Sequence, residues 1–507
     1  MLKNRLRTLS LLLVFAIASC TNISTSTPIV LPSPTSVPTN VVSVSASPTQ
    51  NQSILPTAIP TPIVTATPLP IIITPTPTAT PIVEEKTKIL NIGINEPYIR
   101  VTNEEDKNRN LILNELTTLS PNFVIVDFNQ DLIDTNMDGE VKESWSFYDN
   151  IIDELQKKGI NVIFKIPFTN SLQLLTQPDF SNYLTFMYNV SKHYKEKNYK
   201  NLSWIVGDKI NDLGSSKDVQ KNYMTFLSQT SIAIKGQMPD SKIYAGSLIQ
   251  GEISGSDYKK TMEEFLSYIN MGITKYTDGF VFEVYSFANK VDSVIMSSPF
   301  SYTDYQLIGN YYNGIKEILD LKKIKDKEII LSTGTFGGQT VETLNQTEDI
   351  QANDFIKRFV YAVSLGFDKI FIPKLVDNDF KSSLNLIDSS GLIKLYSNLD
   401  EKKAAFYNFE LITNKLKTAV YKGKIPNLPN YKDGYIFETD KNIYYIVWNN
   451  DNAPKDDDFY VKIELKSSKC KLYLNRTETS FDLGKSNIFA INFRTDPLVP
   501  RIIEIEK

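Results

Sequence analysis

Near the ends of several short apolar runs, the sequence places residues that could move protons or grip hydroxyl groups. "VFEVYSF" carries Glu283 and Tyr285, "WIVGDK" carries Asp208 and Lys209, and "FVIVDFN" carries Asp127 and Asn129. Glu96, Ser332 and Asp377 fall at the ends of three further runs. Two carboxyl groups in one site can act as general acid and general base if their surroundings separate their pKa values. On that ground Asp208 and Glu283 are the candidate catalytic pair. Glu96, Asp127, Asn129, Lys209, Tyr285, Ser332 and Asp377 are the candidate substrate-binding residues. Their mixture of charge, hydroxyl and aromatic ring suits a hydroxyl-rich ligand.

Other chemistries are excluded or left open by composition. The single histidine, His193, rules out a multi-histidine metal site and is the only base a Ser-His-Asp triad could use. It sits in "LTFMYNVSKHYKEKNYK" and is expected on the surface of a helix. A net charge of -4 gives no polyanion-binding signature, so nucleic acid is not an expected partner. "DTNMDGEVKESW" sets Asp134, Asn136, Asp138 and Gly139 at positions 1, 3, 5 and 6 of a calcium loop. Position 12 is Trp145 rather than a bidentate glutamate, so Glu140 or Glu143 would have to substitute. The same residues are the usual ones of a turn. A calcium loop and a plain turn both stand, and no other cofactor is expected.

These groups need elements to hold them. With 507 residues, 41% of them hydrophobic, the chain can bury a large core. From residue 87, short runs rich in Val, Ile and Phe alternate with amphipathic segments. The runs begin near residues 88, 122, 161, 202, 242, 278, 328 and 369. Each reads as a strand buried on both faces. In "WSFYDNIIDELQKKGI", Tyr148, Ile151, Ile152 and Leu155 share one helix face and Gly159 stops the helix. Eight such units predict a (β/α)8 barrel over residues 87–419, with chemistry at the C-terminal ends of its strands. From residue 420 to 507 the period becomes two, which predicts a small β-sandwich of six strands. Trp448 there is expected in the core, with a sugar-stacking platform as the other reading. Cys470 is expected to be a buried strand residue.

The N-terminus carries an address. Residues 1–20, "MLKNRLRTLSLLLVFAIASC", combine a basic start with an apolar run too short to span a bilayer. "IASC" resembles the lipobox of bacterial lipoproteins, which implies lipidation of Cys20 and attachment to a membrane through that anchor alone. The expected location is the extracellular face of the cell membrane. With Cys470 the only other cysteine, no intramolecular disulfide remains once Cys20 is modified. Residues 21–86 read as a Pro/Thr-rich linker: residues 21–83 have no charge and hold 13 of the chain's 25 prolines. At about 3.1 Å per residue such a segment reaches on the order of 100–200 Å.

The barrel resembles the clan A superfamily of retaining glycoside hydrolases, especially members with a C-terminal β-sandwich. That family keeps its acid/base glutamate after strand four in a pattern like W-x-x-G-N-E, which meets Trp204, Gly207, Asp208 and Lys209 here. Its His-x-Tyr on strand six meets Glu283, Val284 and Tyr285. Its nucleophile pattern on strand seven, T-E-T-G, meets Leu331, Ser332, Thr333 and Gly334. "LDEKKAAFYNFELI" is similar to the helix that closes such barrels, while Pro373 and Lys374 stand where a strand-eight tryptophan is common. The resemblance implies a carbohydrate or polysaccharide partner, with both catalytic glutamates replaced. An ion pair between Glu283 and Lys209 is the expected structural role of those two groups.

Three readings follow. The first is a surface lipoprotein that binds carbohydrate on a catalytically degenerate barrel. The second is an active hydrolase with displaced carboxylates, Asp208 and Glu283. The third is a cell-envelope interaction scaffold in which the mouth is a remnant.

Overall fold

The computed structural model describes residues 88–507 apart from 97–105, 142–144, 169–178, 200, 212–215, 250–254, 286–306, 335–346, 378–389, 396–397, 450–459, 475–476 and 494–498. Cys20 and the whole Pro/Thr-rich segment lie outside the described residues, as does Glu143.

Eight parallel strands close into a barrel in chain order. They are β1 (Ile92–Glu96), β2 (Phe123–Asp127), β3 (Asn161–Ile166), β4 (Ser203–Val206), β5 (Lys242–Ile249), β6 (Gly279–Tyr285), β7 (Glu328–Gly334) and β8 (Lys369–Ile372). The helices between and after them are α1 (Asp106–Leu119), α2 (Ser146–Lys157), α3 (Asp179–Lys197), α4 (Lys217–Gln237), α5 (Gly255–Asn270), α6 (Leu307–Leu321), α7 (Glu348–Leu365) and α8 (Ala404–Leu416). The expected (β/α)8 barrel is therefore present. Helix ends follow local chemistry. On α7 the Thr347 side chain accepts from the Ile350 amide at the start, and Gly366 at φ 120° ends it in a left-handed conformation.

Alternation along the strands sorts the interior into layers. Ile125, Ile163, Ile205, Tyr244, Val281, Ile330 and Phe371 fill the middle. Gly93 leaves room for them: a Cβ there would lie 2.1 Å from the Phe371 ring. At the N-terminal end, Glu328 accepts from Tyr244 at 2.8 Å, pairs with Lys242 at 3.1 Å and makes a close ion pair with Lys369. Two residues beyond the middle layer, toward the C-terminal ends, the inward positions become polar or small. Asn95, Asp127, Lys165, Gly207, Gly246, Glu283, Ser332 and Pro373 occupy them.

After a short hairpin, β9 (Ile393–Leu395) and β10 (Asn398–Lys402), α8 leads into the sandwich. A six-stranded antiparallel sheet runs in the order β11 (Val420–Lys424), β12 (Lys432–Glu438), β13 (Asn442–Asn449), β18 (Arg501–Glu506), β15 (Lys469–Leu474) and β16 (Thr477–Asp482). A two-stranded sheet of β14 (Tyr460–Glu464) and β17 (Ile488–Asn492) lies over it. Val447, Ile463, Cys470 and Phe493 belong to the core between them. The other face of the larger sheet joins the barrel's core through Tyr435, Trp448 and Ile502. Trp448 is fully buried and stacks on Tyr435 at 5.3 Å, so it packs the domain junction and offers no sugar platform. The sandwich has eight strands where six were expected. The two extra ones, β11 and β16, are the outer strands of the sheet, and their side chains lack the buried half of an alternating pattern.

Candidate active site at the barrel mouth

A layer of charge built on four strands lies above the apolar middle of the barrel. Lys165, two residues after Ile163 on β3, points inward and is almost fully buried. Its Nζ lies 3.2 Å from Asp127 Oδ1 on β2 and 3.6 Å from Asp208 Oδ2 just beyond β4. Burial would lower the pKa of this amine, but the carboxylates of Asp127, Asp208 and Glu283 outweigh it and hold the ammonium above its usual range. Two carboxylates thus pair with one buried cation, and a third carboxyl group, Glu283, acts on it without direct contact.

Glu283 on β6 is the deepest of the three, 4% exposed. Burial, then the charge of Asp208, raise it above the ordinary carboxylate value, and Lys209, Lys165 and Ser247 only partly offset them. Tyr285 donates its phenolic hydrogen to Glu283 Oε2 at 2.8 Å and meets Ser332 Oγ at 3.2 Å. Its own pKa is raised, first by burial and then by Glu283, so it stays a donor.

Ser247 on β5 links these groups. Its Oγ accepts from the Lys209 amide at 2.9 Å and donates to Asp208 Oδ1 at 3.1 Å. A serine hydroxyl has one hydrogen and two lone pairs. Ser247 also acts on Glu283, where it offsets part of the rise that burial causes.

Tight backbone turns make this meeting possible. Gly207 adopts φ 95° and Lys209 adopts φ 45°, rare for a residue with a side chain. Gly246 packs against Gly207 so closely that a Cβ would stand 2.6 Å from the Gly207 carbonyl carbon. These glycines let the ends of β4 and β5 approach until Ser247 reaches both Asp208 and Lys209.

The structure brings Asp127, Asp208, Glu283, Tyr285 and Ser332 into one cluster, with Lys209 at its edge. The anticipated Glu283–Lys209 ion pair is absent: no contact within 4.0 Å joins them, and Lys165 is the cation that pairs with the carboxylates. Three further expectations separate from the cluster. Asp377 is buried, its Oδ2 2.5 Å from Lys403 Nζ and its Oδ1 accepting from the Gly391 amide at 2.8 Å. Burial pushes Asp377 up to about 7 despite Lys403. It ties the β9 hairpin to α8. Asn129 has its amide bound to the Tyr148 hydroxyl at 2.8 Å and makes no side-chain bond to the layer. Glu96 ends β1, and its side chain lies outside the described residues.

Trp204 is also no part of the mouth. It is fully buried on the outer face of β4, 5.6 Å from the Phe128 ring and 5.2 Å from Phe164. His193 is not a simple surface residue: it stacks on Trp145 at 4.0 Å and bonds Asp149 at 2.9 Å, tying α3 to α2. That contact bears on calcium, because Trp145 holds position 12 of the loop. Asp134 accepts from the Asp138 and Gly139 amides and from Gln130, while Asp138 accepts from Asn136 and the Glu140 amide. Among the described residues no group of three His, Cys, Asp or Glu could hold a metal. Asp134, Asn136 and Asp138 instead shape a turn, which docks on α3 through Asn182 and Asn189.

Lys165, Ser247 and Asn95 were missed from sequence. The signal for Lys165 was available: a lysine interrupting "NVIFKIPF" at the same parity as inward Ile163. Asn95 carried no comparable mark. It is over nine-tenths buried and its Oδ1 has no hydrogen-bond partner.

No family profile matches the sequence, and no curated protein matches it. Solved structures do. A family 39 glycoside hydrolase from Bacteroides cellulosilyticus WH2 superposes with a TM-score of 0.56 at 13% identity, over 82% of this chain and 81% of that one. A glucosidase from Croceicoccus marinus gives 0.52 at 14% identity over 78% and 92%. A family 30 endoxylanase from Clostridium papyrosolvens C71 gives 0.51 at 11% identity over 83% and 97%. The chain thus has a glycoside hydrolase-like barrel with a β-sandwich. At these identities the likeness is one of fold, and the site must be read from its own residues.

Proposed function

We propose that this chain binds carbohydrate in the mouth of a glycoside hydrolase-like barrel that has lost the retaining mechanism. The observation that carries this is Ser332. It stands on β7 where the clan A pattern places the nucleophile, and Tyr285 on β6 still holds hydrogen-bond contact with it at 3.2 Å. That contact supports the reading that a hydroxyl has taken the place of the carboxylate. At the acid/base position Lys209 replaces the other carboxylate, so the carboxylic acid that would protonate the leaving oxygen is missing there. Retaining hydrolysis needs two carboxyl groups about 5–5.5 Å apart in those roles. The lipobox at Cys20 and the linker of residues 21–86 support display of the barrel from a membrane surface. The test is binding and reducing-sugar release by the full chain over plant and cell-wall polysaccharides. Binding without turnover is the expected result, and failure to bind any glycan would overturn the reading.

One arrangement favours a second reading, hydrolysis by displaced groups. Asp208 accepts from the Ser247 hydroxyl at 3.1 Å and its charge acts on Glu283, while burial keeps Glu283 protonated to higher pH than an ordinary glutamate. A protonated acid beside an ionisable one is the division of labour that general acid–base catalysis uses. Turnover that disappears in Glu283→Gln would establish this reading in place of the first.

A further inference from the structure

The charges at the mouth do not cancel one by one. Asp127 and Asp208 are met from below by Lys165, and Glu283 is bonded by Tyr285. Lys209 is different. Its backbone amide is fixed by Ser247, but among the described residues its ammonium has no carboxylate within 4.0 Å. It is half-buried and follows Asp208 directly at the end of β4, where its amide is bonded to Ser247 at the edge of the mouth. Its left-handed backbone carries a cost that glycine or asparagine would avoid. A second group is also short of a partner: Asn95 Oδ1, over nine-tenths buried on the β1 wall at the same level, accepts no hydrogen bond among the described residues.

Together these leave a cation wanting an anion and an acceptor wanting a hydroxyl, inside one polar mouth. Resting on the carbohydrate-binding reading above, we infer that the ligand is an acidic saccharide, its carboxylate or sulfate paired with Lys209 and a hydroxyl donated to Asn95. A neutral sugar would leave the Lys209 ammonium half-desolvated and unpaired. A cationic one would meet it directly. The nearby carboxylates do not forbid an anion, because Lys165 neutralises from beneath and the raised Glu283 is the group that gives up its charge first.

The experiment measures affinity of the full chain for neutral β-1,4-linked glucan, xylan and mannan hexasaccharides. Each is compared with its uronic-acid and its sulfated derivative at pH 7 and low salt. We expect an acidic form to bind about tenfold tighter than its neutral parent, the usual size of one charge-assisted contact. That advantage should vanish in 0.5 M salt and in Lys209→Met, and persist in Lys209→Arg. The uronate and sulfate arms identify which anion is preferred. Neutral parents bound as tightly as their acidic forms would overturn the inference and leave the carbohydrate-binding reading standing. An advantage that survives Lys209→Met would overturn the assignment to Lys209. No binding of any member would overturn both the reading and the inference.

Discussion

The two ends of the barrel use the same ingredients in opposite proportion. At the N-terminal end one carboxylate, Glu328, is held by two lysines, Lys242 and Lys369, and by the Tyr244 hydroxyl. Burial alone would raise Glu328, yet Lys369, Tyr244 and Lys242 bring it down to about 2. At the C-terminal end Asp127 and Asp208 share Lys165, and the third carboxyl group, Glu283, is raised. A cluster with its cations in surplus is electrostatically satisfied and acts as a plug. One with its carboxyl groups in surplus keeps a proton to higher pH, and among the described residues it leaves a second ammonium, Lys209, without a carboxylate at its rim. The difference separates a structural ion cluster from a site that still has bonds to make.

Removing the hub of the plug should have the largest effect. Glu328→Gln leaves Lys369 buried between the Phe123 and Tyr244 rings without its counter-charge. The expected loss is about 3 kcal/mol of unfolding free energy, read from denaturant midpoints, with glycan binding unchanged. An unchanged midpoint would break the comparison.

Lys165→Met should come next, at about 2 kcal/mol at neutral pH, because Asp127 and Asp208 lose their common cation. The folded pKa of Lys165 is raised, so its contribution is complete at neutral pH and this loss should shrink only as the pH rises past the ordinary lysine range, which a series of melts from pH 7 to 11 checks. A loss independent of pH would mean that packing of the lysine stem, not its charge, holds the layer.

The smallest effect belongs to Glu283→Gln, and its sign sharpens the contrast. The folded pKa of Glu283 lies above its reference value of 4.5. Its favourable contribution is therefore complete below that value and is lost as pH rises through the folded pKa. Glutamine loses nothing over that window. The variant should match the parent near pH 4 and exceed it above neutral pH by under about 1 kcal/mol. A variant less stable than the parent at pH 8 would mean that Glu283 is ionised and paired.

Much of this fold was legible because strands buried on both faces write continuous apolar runs, from "NFVIVDFN" to "KIFIPKLV". Outer strands such as β16, exposed along its length, leave no such mark. The site was legible where a residue type was unusual at a strand end, as with Glu283 and Lys209. It was illegible where long-range geometry decided. Asp377 has the composition of a mouth residue, yet a lysine 26 positions later in sequence claims it. Ser247 looks ordinary in "KIYAGSL" and becomes a hub only because Gly207 and Gly246 touch.

The seam where the barrel begins has a mechanical consequence. The Leu90 amide donates to Ala419 O and the Tyr421 amide donates to Lys88 O, both at 2.9 Å, just ahead of β1. A pull on the chain before Lys88 would load this seam first and then draw β1 along its own axis. Paired in parallel with β2 on one side and β8 on the other, β1 resists in shear, many bonds sharing the force at once. The mouth lies at the far end of those strands, so tension on a tether would be borne without prying its rim open.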